Sequence, residues 1–296
     1  MPHTHNHETD SYNRAFAIGV ILNLAFVIAE ATFGILSDSL ALLADAGHNL
    51  SDVLGLLLAW GARFLARRQS STRRTYGLRK STILAALANA VILMVVIGGI
   101  SWEAVKRLTI PGETIGATII IVAGIGVLIN TATALLFVTG RKGDLNIRGA
   151  FLHMAADAGV SLGVVLGGIA ILYTSWFWID PVLSLMIAII ILISTWGLLK
   201  DSLNLIMDAV PEGIDPADVL SYLQGLPGVT AVHDLHIWGM STTESALTAH
   251  LVKPNPEDDD AIIEQAGKEI HDRFGIHHIT LQWERSEESR PCNACE

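Results

Sequence analysis

The chain has 296 residues, is 51% hydrophobic and carries a formal net charge of −10, with a mean hydropathy of +0.47. So apolar a composition excludes an ordinary soluble domain of this length, and the acidic balance argues against nucleic acid as a partner. The charge is also divided: residues 1–200 hold 14 Lys/Arg against 11 Asp/Glu, whereas residues 201–296 hold 5 against 18. A weakly basic membrane part followed by an acidic soluble part is the reading.

Residues 1–13 are polar and His-rich, with neither the basic start nor the cleavage site of a signal peptide, and read as an N-terminal tail. A membrane domain over 14–200 follows. It holds six apolar runs of spanning length, at 15–36, 39–62, 81–105, 114–139, 147–173 and 177–199. Turns fit between them at Ser37-Asp38-Ser39, Pro111-Gly112, Gly140 to Gly143 and Asp180-Pro181. Basic residues gather in alternate loops: Arg63, Arg67, Arg68, Arg73, Arg74, Arg79 and Lys80 in one, Arg141, Lys142 and Arg148 in another, and Lys200 after the last run. By the positive-inside rule these loops and both termini are cytoplasmic, with Lys106 and Arg107 the dissenters. After Asp208 the pattern changes. A helix-like segment runs from Asp215-Pro216 to Gly225, strands from Val229 to Trp238 and Ser245 to Val252, an amphipathic helix from Asp258 to Phe274, and a last strand from His278 to Trp283. That αββαβ order predicts a small two-layer α/β domain over 208–286. A tail over 287–296 ends in Cys292-Asn293-Ala294-Cys295, and these two cysteines build no disulfide framework.

Two copies of one pattern lie within the apolar runs, His48-x-x-x-Asp52 and His153-x-x-x-Asp157. A carboxylate at mid-membrane costs roughly 2.5–3.5 kcal/mol on insertion scales, so such residues usually mark function. Residues four apart share a helix face. Two helices so equipped present two imidazoles and two carboxylates, a donor set that suits tetrahedral Zn²⁺, with Cd²⁺ and Co²⁺ left open. Asp45, three residues before His48, is a candidate to orient that imidazole from outside the metal shell. Metal needs neutral imidazole and ionised carboxylate, so protons compete for the site. A site that alternates between membrane faces then exchanges metal for H⁺. Neither a phosphate-binding G-x-x-x-x-G-K-[ST] nor an H-E-x-x-H occurs, so no enzymatic activity is expected. The competing readings are polar groups that merely bond helices together, a passive channel, and a zinc sensor. Asn23, Glu30 and Asp180 are further polar residues in the membrane part. Glu30 reads equally as an interhelical hydrogen-bond partner or as part of a proton path.

The segment SDSLALLADAGHNLSD, the pair His153 and Asp157, DPVLSL (Asp180 to Leu185) and VHDLHIW (Val232 to Trp238) resemble the cation diffusion facilitators, over essentially the whole chain. His rather than Asp at position 48 resembles the zinc-transporting branch. The resemblance implies a homodimer, alternating access, Zn²⁺/H⁺ antiport out of the cytoplasm, an inner (plasma) membrane location and a metallochaperone-like, ferredoxin-like cytoplasmic domain. In that domain it points to His233, His250 and Glu284 as zinc ligands, three residues that neighbouring strands can bring together. Gln282 stands where some relatives have histidine. Cys292 and Cys295 can chelate one further Zn²⁺, completed by His3, His5 and His7 of the same chain or its partner. The loop Gln69 to Gly77 has neither Asp nor His, so no metal is expected there. The acidic run Glu257 to Asp260 reads as a helix start favoured by the dipole.

Overall fold

An apolar segment in a bilayer can satisfy its backbone only internally, which leaves it the helix. The computed structural model describes residues 23–66, 68–110, 112–138 and 145–286, and the described residues before the first strand are mainly helical. The helices are α1 (Asn23–Leu36), α2 (Leu40–Ala66), α3 (Ser81–Thr109), α4 (Gly116–Phe137), α5 (Leu145–Thr174) and α6 (Ile179–Ile206). Four of them, α3 to α6, contain stretches long and apolar enough to cross a membrane. α2 is as long, at 27 residues, but its sequence includes Asp45, Asp52 and Arg63. Large apolar side chains point outward, Val95, Leu128 and Ile193 each about 70% exposed. Such faces suit lipid as solvent. The inward faces meet in a core of Leu42, Ile97, Ile119, Val164 and Ile191, one from each of α2 to α6. α4 and α5 approach closely: a Cβ on Gly116 would stand 2.8 Å from the Gly168 carbonyl oxygen. Small residues make such contacts between membrane helices.

The start of α2 is fixed from a distance. Its first amides need acceptors. Asp180, buried at the start of α6, accepts from Leu40 N at 2.7 Å, from Ala41 N at 3.3 Å and from Ser39 Oγ at 2.5 Å. Ser39 Oγ in turn accepts from Leu42 N at 3.2 Å. The preceding turn is held by Arg107, whose guanidinium donates to the Asp38 carbonyl and carboxylate, both at 2.8 Å. Arg107 dissented from the loop-charge rule, and its charge is paired here.

The chain divides into two compact units, one holding residues up to Leu57 with Asn89–Gly197, the other Leu58–Ala88 with Leu198 onward. α6 passes into the second, seven residues beyond the apolar run that predicts it. Hydropathy registers where lipid solvates a helix; it does not register where the helix ends.

The second unit contains α7 (Pro216–Gln224), β1 (Ala231–Gly239), β2 (Ser245–Val252), α8 (Asp259–Phe274) and β3 (His278–Glu284). The sheet order is β1-β2-β3, with β1 antiparallel and β3 parallel to the central β2. Asp215 caps α7 by accepting from Ala217 N at 2.8 Å. Leu247, Ala249 and Leu251 of β2 pack with Val219, Leu223, Ile270 and Ile276 in one core. Alternation therefore sends His250 to the opposite face. β1 breaks this period with an irregularity between His233 and His236, where Asp234 has φ +52°. Val232, Leu235 and Ile237 can consequently all join the core. The acidic run before α8 does more than favour a helix start. Asp258 caps without a side-chain hydrogen bond. Asp259 meets the buried Lys253 at 2.9 Å and pairs with Arg285. Within the same unit, Arg79 reaches Glu244 and Lys80 reaches Asp208, both at 2.6 Å.

Candidate metal centres

α2 and α5 bring the two His-x-x-x-Asp patterns together. His48 Nε2 lies 3.1 Å from Asp157 Oδ1, and His153 Nε2 lies 3.1 Å from Asp52 Oδ2. The pairing is crossed, each imidazole taking the carboxylate of the other helix. Within a helix the separations are longer, 3.9 Å for His48–Asp52 and 3.6 Å for His153–Asp157. A tetrahedron with metal–ligand bonds of 2.0–2.1 Å has edges of about 3.3 Å. The four nitrogen–oxygen distances bracket that length. The ligand atoms of His48, Asp52 and Asp157 already lie within 4.8 Å of one another. The His48 and His153 rings stand edge-on, 5.9 Å apart. Asp157 is buried, while the His153 side chain is 43% exposed, so the cluster has an open side.

Asp45 has a partner of its own on α5. It is fully buried and accepts from Ser161 Oγ at 2.9 Å, rather than aligning with the His48 ring. Glu30 is fully buried as well and accepts from Asn49 Nδ2 at 3.1 Å. Ser161 and Asn49 escaped the sequence analysis; single polar residues in apolar helices carry no spacing signal.

The second cluster lies on the sheet. His233 and His250 are register partners across β1 and β2, and Glu284 follows the Gln282 that partners His250 on β3. His233 Nε2 lies 3.0 Å from Glu284 Oε2, and His250 Nδ1 lies 3.1 Å from Glu284 Oε1. The three ligand atoms are within 4.8 Å of one another. Glu284 Oε1 is buried and has no well-aligned donor among the described residues despite the nearby His250 ring nitrogen, which fits a position kept for a cation. Asp234, which the strand reading passed over, places Oδ2 3.7 Å from His250 Nε2 and Oδ1 3.0 Å from His236 Nε2. The bulge that gives it positive φ is what turns it toward the histidines. His3, His5, His7, Cys292 and Cys295 lie outside the described residues.

Apolar helices ending in a small αββαβ domain define a class of integral membrane protein, and comparison with known sequences makes the class specific. The family profile for the cation efflux transmembrane domain matches residues 16–207, and that for the cation efflux protein cytoplasmic domain matches residues 211–286. The chain therefore belongs to the cation efflux family. It is 36% identical over 289 residues to the cadmium, cobalt and zinc/H(+)-K(+) antiporter of Bacillus velezensis, covering 96% of this chain and 92% of that one. To the metal cation efflux system protein CzcD of Cupriavidus metallidurans it is 36% identical over 285 residues, with 95% and 89% covered. To the zinc transporter ZitB of Escherichia coli it is 34% identical over 302 residues, with 99% and 94% covered.

Proposed function

We propose that the protein exports Zn²⁺ from the cytoplasm across the inner membrane in exchange for H⁺, by alternating access, with His48, Asp52, His153 and Asp157 as the transport site. The crossed pairing of that tetrad carries the reading. Four ligand-type side chains hold one another at separations close to those of a tetrahedral metal site, so a metal can replace the His–carboxylate contacts with little rearrangement. Each contact that metal replaces is one that a proton on histidine strengthens. Metal and protons are thus alternative occupants of the same groups. Relatives named as zinc and as cadmium, cobalt and zinc transporters support the cargo, and one named as an H(+)-K(+) antiporter supports the coupling. Cd²⁺ and Co²⁺ fit the same donors. The basic loops support a cytoplasmic position for both termini.

His233, His250 and Glu284 would hold a further Zn²⁺ in the αββαβ domain, with Asp234 orienting His250. Bound there, the ion would draw strands β1, β2 and β3 together and lend its charge to the surface through which two protomers pair as a homodimer. Cys292 and Cys295, with His3, His5 and His7, are proposed as an additional cytoplasmic zinc site.

Zinc flux in proteoliposomes, with and without an imposed pH gradient, tests the reading on wild type and Asp157→Ala. Gradient-driven flux that disappears in the variant is expected. Flux indifferent to the gradient would indicate a channel, and undiminished flux in the variant would place the pathway elsewhere.

A further inference from the structure

Two buried acids remain once the metal tetrad is assembled. Glu30 on α1 and Asp45 on α2 are both 0% exposed. Each has one carboxyl oxygen served by a neutral donor, Asn49 Nδ2 for Glu30 Oε2 and Ser161 Oγ for Asp45 Oδ2. The other two oxygens, Glu30 Oε1 and Asp45 Oδ1, receive no donor among the described residues. Asn49 stands one turn beyond Asp45 on the same face of α2, so the donor that holds Glu30 brings its carboxyl group beside that of Asp45. Two ionised carboxylates only accept, and at contact distance they repel. Neighbouring buried acids avoid that repulsion when the pair keeps one proton.

Among the described residues no fixed cation pairs with either acid. Glu30 is the sole ionisable residue of the described part of α1, and α4 has none. Those of α3 are Glu103, Lys106 and Arg107 in its last two turns, and those of α6 are Asp180, Lys200 and Asp201 near its ends. From α2 and α5 the charged groups acting on Asp45 are His48 and Asp157, members of the tetrad. Asp45 thus lies on α2 within about one turn of both Asn49, which binds Glu30, and His48 of the tetrad.

We propose that Glu30 and Asp45 form a carboxyl pair that binds one proton and releases it as counter-ion during metal transport, at a site separate from the metal ligands. This rests on the proton-coupled reading above. A dication arriving at His48, about one turn along α2, favours the ionised form of Asp45. The O–H bond breaks, the proton leaves to water, and the negative charge left behind is offset by the metal. When the metal departs the proton returns.

The test uses full-length protein in lipid. Infrared difference spectra in H₂O and D₂O detect the C=O stretch of a protonated carboxyl. Wild type should show such a band, bleached on adding Zn²⁺, and both Glu30→Gln and Asp45→Asn should lose it. Glu30→Gln, which keeps an acceptor for Asn49, should retain zinc–zinc exchange at equal pH while losing acceleration by a pH gradient. A band unchanged in both variants, or a full gradient response in Glu30→Gln, overturns the proposal. So does loss of zinc–zinc exchange in the variants, which would make the pair a structural contact. Wild-type flux without gradient response, with the band present and bleached by Zn²⁺, refutes the coupling and with it the counter-ion role, while leaving the pair a proton site.

Discussion

Replacing Asp180 should destabilise the start of α2. In Asp180→Ala the amides of Leu40 and Ala41 and the hydroxyl of Ser39 lose their acceptor together. A buried donor left unsatisfied costs roughly 1–3 kcal/mol, and loss of a helix cap about 1. Ser39 still caps Leu42 N, and a freed hydroxyl can rotate. We therefore expect about 2–4 kcal/mol of lost stability, the lower half of what two stranded amides would cost. Asp180→Asn keeps the shape and one acceptor, but its amide N–H₂ faces a backbone N–H; about half the loss should remain. Denaturant titration of the protein in mixed micelles measures this. Trp176 and Trp178, stacked 6.0 Å apart in the turn before α6, lie beside the substitution, so fluorescence reports it directly. The same variants should bind zinc more weakly, because the cap sets where α2 begins and so how His48 and Asp52 meet α5. An Asp180→Ala chain that unfolds at the wild-type denaturant concentration would refute this account of α2.

Other outcomes follow from the same contacts. Gly126→Ala would put a Cβ 2.8 Å from Phe26 Cζ and 3.2 Å from Ser161 Oγ. It should cost about 1–3 kcal/mol by overpacking, read in the same titration. Asp234→Asn should lower zinc affinity of the αββαβ domain in isothermal titration, since it removes a negative charge 3.7 Å from His250 Nε2; unchanged affinity would remove Asp234 from the site. The half-exposed Arg79–Glu244 pair should contribute at most about 1 kcal/mol in a double-mutant cycle. Arg285 and Lys253 hold the Asp259 carboxyl below the usual range. A group lowered on folding lends stability above its unfolded value and loses it as pH falls through the folded one. Arg285→Gln should therefore weaken the domain at neutral pH and flatten its loss of stability in acid below about pH 4, followed by pulse proteolysis of the reconstituted chain.

Spacing alone revealed that His48 and Asp52, and His153 and Asp157, share helix faces, since that is local geometry. The crossed pairing was not legible, because it depends on the height at which α2 and α5 pass. That height is set partly by Asp180, 140 residues from the amide it caps. The αββαβ order was legible in the alternation of Ser245 to Val252 and in the amphipathic spacing of α8. Asp234 was hidden by the irregularity in β1, which shifts a period-2 pattern by one residue and turns an apparent core position outward. Arg79 and Lys80 looked like loop charges serving orientation; their acidic partners lie more than 120 residues away. Glu30 was visible as a buried acid, but its relation to Asp45 needed the packing of α1 on α2.

The sheet separates what the domain must keep from what it is free to change. One face of β2 and β3, from Leu247 to Leu251 and Ile279 to Trp283, is committed to the core. The opposite face presents His250, Gln282 and Glu284 in adjoining positions that no core contact constrains. A change at Gln282 can thus alter the number and type of metal donors without disturbing the fold that carries them. The proposed metal site can therefore be altered one outward residue at a time, while the inward residues keep the sheet packed on its helices.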